Sequence, residues 1–163
     1  MRIAATSLAA LLSVVASTNV LAPPRSTPLG YTIKAIRVYL FYETLGRADA
    51  RDLADGKFLL ANAMMGGGDA EAPSSTCVVY VDLEGPSFSF ATHGELVFHA
   101  KVNRRTAVKQ VVKLAHFRSE GHTLVIPFVV VGTGCGDLTV EAVLNVAGTR
   151  SELSKSIKFM CGE

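Results

Sequence analysis

Apolar and polar residues alternate with a period of two along most of the chain beyond Thr32. In "IKAIRVYLFY" (33–42), Ile36, Val38 and Leu40 fall on one face and Arg37, Tyr39 and Phe41 on the other. Both faces are largely apolar, which suits a strand covered on both sides. "TCVVYVDL" (76–83) sets Val79, Val81 and Leu83 against Tyr80 and Asp82, and "GELVFHAKV" (94–102) sets Leu96, Phe98, Ala100 and Val102 against Glu95, His99 and Lys101. The run 108–116, "TLVIPFVVV" (123–131), "DLTVEAVLNV" (137–146) and "LSKSIKFM" (153–160) bring the count to seven strands. Turn signals such as Gly85-Pro86, His93-Gly94 and Glu120-Gly121 separate them. Short alternating strands without intervening helices predict an all-β fold, an antiparallel β-sandwich of about seven strands. The strand count resembles immunoglobulin-like architecture. The Cys…Trp…Cys hallmark is absent, because the chain has no Trp. Pro127 cannot donate to a ladder, so its strand is expected at a sheet edge or with a bulge.

Two stretches depart from this pattern. "ARDLADGKFLLANAMM" (50–65) is rich in Ala, Leu and Met, with Leu60, Ala63 and Met64 at helical spacing. It predicts a short helix or irregular crossover after the first strand, with Met64-Met65 as core filler, since Met packs irregular gaps. The other is Gly66-Gly67-Gly68-Asp69. A phosphate loop needs a following Lys and Ser/Thr, and a calcium loop needs more carboxylates than Asp69 and Glu71 supply. A mobile connector is the reading this stretch supports, with a site as the alternative.

The N-terminus changes the compartment. Met1-Arg2 precedes an apolar run from Ile3 to Val15, followed by small residues. That is the form of a signal peptide over residues 1–22, with cleavage near 16 or 22, and the run is too short to span a bilayer. "APPRSTPLG" then reads as a linker over 23–31, ahead of a single domain over 32–163. The chain is expected to be secreted or periplasmic, with no transmembrane helix after cleavage.

Of the 16 basic residues only Arg2 lies within 1–22, which leaves 15 against 14 acidic ones. A mature charge near +1 supplies no nucleic-acid footprint. Lys101, Arg104, Arg105 and Lys109 form a local basic group around Asn103, read as a solvated loop and strand end.

Three cysteines are an odd set for an exported chain. Cys135 lies in a turn before a strand and Cys161 just after the last strand, so a hairpin would bring them together as a disulfide. Cys77 shares a face with Val79 and Val81 and reads as buried, although pairing with Cys161 is the competing arrangement. No C-x-x-C, nucleophile elbow or H-E-x-x-H motif is present. His116 and His122 flank a five-residue loop containing Glu120 and could hold Zn or Cu with His99 or His93. Strand-end histidines are the plainer reading, and otherwise no cofactor is expected. With no catalytic motif, the expected function is a binding or structural module that meets another envelope or extracellular protein through loops or a sheet edge. A metal-handling role for the histidine pair is the alternative.

Overall fold

The computed structural model describes residues 30–86, 93–114 and 123–161. Strand β1 runs from Thr32 to Tyr42, β2 covers Arg47–Ala48, β3 Thr76–Glu84 and β4 Gly94–Val102. Then follow β5 Arg105–Leu114, β6 Thr123–Val131, β7 Gly136–Val146 and β8 Thr149–Phe159. They form two four-stranded antiparallel sheets in the orders β2-β1-β3-β6 and β5-β4-β7-β8. The seven expected strands are all present, and the eighth is the two-residue β2. Strand β5 begins three residues ahead of the expected run, directly after a two-residue turn.

The alternation has the expected physical cause. Ile36, Val38, Leu40, Val79, Val81 and Leu83 of one sheet face Leu96, Phe98, Leu138, Val140 and Leu144 of the other, all buried. Phe98 of β4 stacks on Phe128 of β6 across the interface, with centroids 4.0 Å apart and planes 6° from parallel. Each fully buried side chain of this size stabilises the fold by about 1.5–3 kcal/mol relative to exposure. On the outer face of the first sheet, Arg37 bonds Asp82 through Nε (2.9 Å) and a terminal nitrogen (2.7 Å). The same guanidinium lies over the Tyr80 ring, 5.4 Å from its centroid.

The two flanks of the sandwich differ. On the β1/β8 side, the Ile33 N–H donates to Ser151 Oγ of the opposite sheet at 3.1 Å. On the other side, β5 and β6 are both edge strands. Pro127 therefore lies on an edge, paired with Tyr80, without a register shift.

The crossover from β1 to β3 is irregular: single 3-10 turns at Leu53–Asp55 and Ala63–Met65, with no α-helix. Leu60 and Ala63 are buried as their spacing implies. Met64 and Met65 are not core filler: they are 46% and 82% exposed. The turn at 63–65 opens from Asn62 in the left-handed region and closes on Gly66, also left-handed, so only its first residue reaches the core. No helix among the described residues is long and apolar enough to cross a membrane.

Candidate interaction end of the sandwich

Strand polarity gathers four connections at one end. The tips of β1 (Tyr42), β6 (Val131), β4 (Val102) and β8 (Phe159) all lie there, because β3 starts beside the end of β1 and β7 starts beside the ends of β4 and β8. That end consequently carries the 43–75 crossover, the Asn103-Arg104 turn, the 132–135 turn and the chain's Met160-Cys161 segment.

A buried polar network anchors the crossover. Tyr42 Oη donates to Asp49 Oδ2 at 2.5 Å and accepts the Glu71 N–H at 3.0 Å. Arg51 grips the same carboxylate with Nε and a terminal nitrogen, both at 2.9 Å, and gives a further bond to the Asp69 carbonyl at 2.5 Å. Its guanidinium also lies 4.6 Å from the Phe58 ring centroid. Arg51, then Tyr42, hold the Asp49 carboxyl well below the usual carboxylate range, against the opposing effect of burial. Burial, reinforced by Asp49, raises the Tyr42 hydroxyl.

The glycine stretch belongs to this structure. Asp69 Oδ2 accepts the Leu59 N–H at 2.8 Å, the Asp69 N–H returns to the Leu59 carbonyl at 2.9 Å, and Glu71 pairs with Arg47. Gly68 is left-handed (φ 66°), and a Cβ there would run into the Leu59 carbonyl and the Ala61 backbone. Three consecutive glycines allow two backbone segments to lie against each other. Backbone hydrogen bonds therefore tie the loop down along its length.

The Cys135–Cys161 disulfide joins this end from the other side, with Cα atoms 5.4 Å apart. Met160 exchanges backbone bonds with the crossover: its N–H donates to Leu60 O at 2.8 Å, and the Asn62 N–H donates to Met160 O at 2.7 Å. Met64 packs beside Gly134. Asn103, left-handed at φ 49°, holds the cystine turn through Nδ2 to the Cys135 carbonyl (3.1 Å) and Oδ1 from the Asp137 N–H (3.0 Å). The sequence thus places the glycine loop and the disulfide far apart, and the fold brings them into one clamp. Cys77 is the free thiol, fully buried against Thr133, and burial pushes it up to about 12.

Leu45, Leu59, Met64, Met65 and Met160 on these connections are exposed, with Val129 and Val131 at the tip of β6. Elsewhere among the described residues the large exposed apolar side chains are Val111 and Val125. Sequence periodicity missed this concentration, because the residues come from separate connections.

His116, Glu120 and His122 lie outside the described residues. His93 occupies a left-handed turn (φ 65°) before β4, at the opposite end. His99 sits on the outer face of β4, opposite Glu141 and Lys109, about 17 Å along the strand from its start. Among the described residues no group of three or more His, Cys, Asp or Glu side chains could hold a metal ion. No protein-family model and no curated protein matches the chain.

Proposed function

We propose that the protein is an exported binding module, secreted or periplasmic, that meets another envelope or extracellular protein with the loop end of its sandwich. One observation carries this reading: among the described residues, seven of the nine large exposed apolar side chains crowd that end or the adjoining tip of β6. Apolar side chains concentrated in one region and rimmed by polar ones mark interaction sites rather than ordinary surface. The Tyr42–Asp49–Arg51 network and the disulfide give these loops a fixed shape, so a partner meets them at little ordering cost. Export is supported by the apolar N-terminal run and by a disulfide, a bond that persists in oxidising compartments.

Site-specific photo-crosslinking tests the proposal. A photoreactive residue at Met65 or Val131 is expected to capture the same partner from the native envelope or medium, and Met65→Glu with Val131→Glu should lower the yield. A probe at Ser154, on the outer face of the second sheet, should capture none. Equal capture from Ser154 would refute the assignment of this end.

A further inference from the structure

We propose that the open flank between β5 and β6 accepts an extended segment of the partner, which adds as a strand to β6 and places an acidic side chain against Arg105. The inference rests on the binding reading above and names the partner's chemistry. Three observations lead to it.

The first is the state of the β6 edge. Pro127 has no N–H, so its pairing with Tyr80 is of the non-hydrogen-bonded kind. By the same alternation the N–H and C=O groups of Val129 and Val131 point away from β3, to a side where no described strand lies. Edge strands are commonly blunted with charge, and β6 carries none from Thr123 to Val131. Pro127 deletes one donor mid-strand and leaves Val129 and Val131 as the usable window. Both are exposed, at 57% and 64%. Only an extended backbone satisfies alternating donors and acceptors on such an edge.

The second is a gap in the core along the same flank. Val108 and Val112 of β5, and Leu124 and Ile126 of β6, face inward yet are only partly buried. At the loop end this flank opens into a hollow of about 580 Å³, lined by Val102, Asn103, Arg105, Ala107, Val131 and their neighbours. The register shift at Ala100/Lys101 pairs Arg105 with the inward-facing Val102, which brings the arginine to the wall of that hollow.

The third is charge. Three acids of the crossover are engaged within the chain: Asp49 by Arg51, Glu71 by Arg47, Asp69 by the Leu59 N–H. Arg105 has no counter-charge among the residues lining the hollow, whereas Lys109 and Lys113 lie on the outer face of β5, opposite His99 and Glu95. An occupant that pairs with β6 and fills this hollow is therefore acidic and apolar in alternation. A second copy fits less well, since its own uncharged β6 brings no carboxylate to Arg105.

The test uses nonapeptides of alternating Thr and Val, with one Glu placed in turn at each Thr position, against the same set with Lys. Fluorescence anisotropy with the oxidised mature protein should show the best Glu peptide binding at least about tenfold tighter than its Lys counterpart, as expected for a charge-assisted contact. Arg105→Glu should reverse that preference. Val129→Pro removes the outward N–H at a position equivalent to Pro127 and should abolish binding. In the wild-type protein, peptide should slow amide exchange at Val129 and Val131, a readout independent of how either variant folds. The proposal is overturned if neither set binds, if Glu and Lys peptides bind alike, if exchange at Val129 and Val131 is unchanged, or if the protein instead forms a dimer that Val129→Pro dissolves. Peptide failure with intact capture from Met65 removes strand addition alone. Peptide binding without any capture from Met65 removes the loop-end reading alone.

Discussion

Opening the Cys135–Cys161 disulfide is expected to cost about 3.5 kcal/mol of stability. The cysteines are 26 residues apart, and closing a loop of that length lowers the entropy of the unfolded chain by about 12 cal/mol/K in the chain-entropy model. At 25 °C this is the 3.5 kcal/mol, a large share of the roughly 5–15 kcal/mol that holds a domain of this size together. In the native state the bond changes little, because β7 and β8 pair directly from Gly136↔Phe159 to Val146↔Thr149 and keep both cysteines in place. The effect therefore acts through the unfolded ensemble. The measurement is guanidinium unfolding at neutral pH, followed by far-UV circular dichroism, on wild type and on the Cys135→Ser/Cys161→Ser variant. With a slope of about 4 kcal/mol/M, the midpoint should fall by about 0.9 M, and wild type in reductant should coincide with the variant. A shift below about 0.2 M would show that the bond closes no costly loop, and the reasoning fails. So would reduced wild type that differs from the double variant.

Three further outcomes follow from the same structure. Gly68→Ala should destabilise the fold by about 2 kcal/mol or more, since its Cβ meets the Leu59 carbonyl and its backbone is left-handed; thermal unfolding within about 0.5 kcal/mol of wild type would contradict the fixed-loop description. Asp49 has a depressed folded-state pKa, so its contribution is present above the ordinary carboxylate value near 3.9 and is lost as pH falls through the folded-state value. Asp49→Asn should accordingly lower stability at pH 7 and flatten the acid limb of the stability–pH curve, and an unchanged limb rejects this assignment. Cys77, buried and pushed up to about 12, should resist iodoacetamide at pH 8 in native oxidised protein and react fully in denaturant, as intact-mass measurement will show; rapid native labelling would mean the thiol is not enclosed.

Much of the fold is legible in the alternation of the sequence, for a direct reason. When one face of a strand is buried, the side-chain period of two appears in the residues themselves, as in Ile36, Val38 and Leu40 against Arg37, Tyr39 and Phe41. Pro127 is legible because its missing donor restricts where a ladder can place it. The disulfide is legible because Cys135 and Cys161 flank what reads as a hairpin, and hairpin ends meet. The Tyr42–Asp49–Arg51–Asp69 network is not legible. Its members lie 7, 2 and 18 positions apart, spacings that follow no element's period. Met64 and Met65 mislead for another reason: composition records that a residue is apolar, whereas the direction it points is set by left-handed Asn62 and Gly66 on either side.

The loop end shows why the candidate site is harder to read than the fold that carries it. Its exposed side chains come from the β1–β2 turn, the crossover, the tip of β6 and the segment after β8, contributing one, three, two and one residues. No single stretch of sequence contains more than three of the seven. They converge because β1, β4, β6 and β8 all point to that end, and strand direction follows from pairing order, a global property. The basic hairpin joins them for the same reason. Asn103 and Arg104 make a two-residue turn with both backbones left-handed, at 49° and 66°. Such turns favour Asn and Gly, so Asn103 is at home there and Arg104 is not. Asn103 offsets its backbone cost with two side-chain bonds to the cystine turn, whereas Arg104 has a side chain that a glycine at the same place would lack. Replacing Arg104 with Gly should therefore raise stability by about 0.5–1 kcal/mol. If the arginine contributes to attracting an acidic partner, the same change should lower the on-rate for the Glu peptides and weaken its dependence on salt. Arg104→Gly that is both more stable and unaltered in on-rate would confine recognition to Arg105 and the β6 edge.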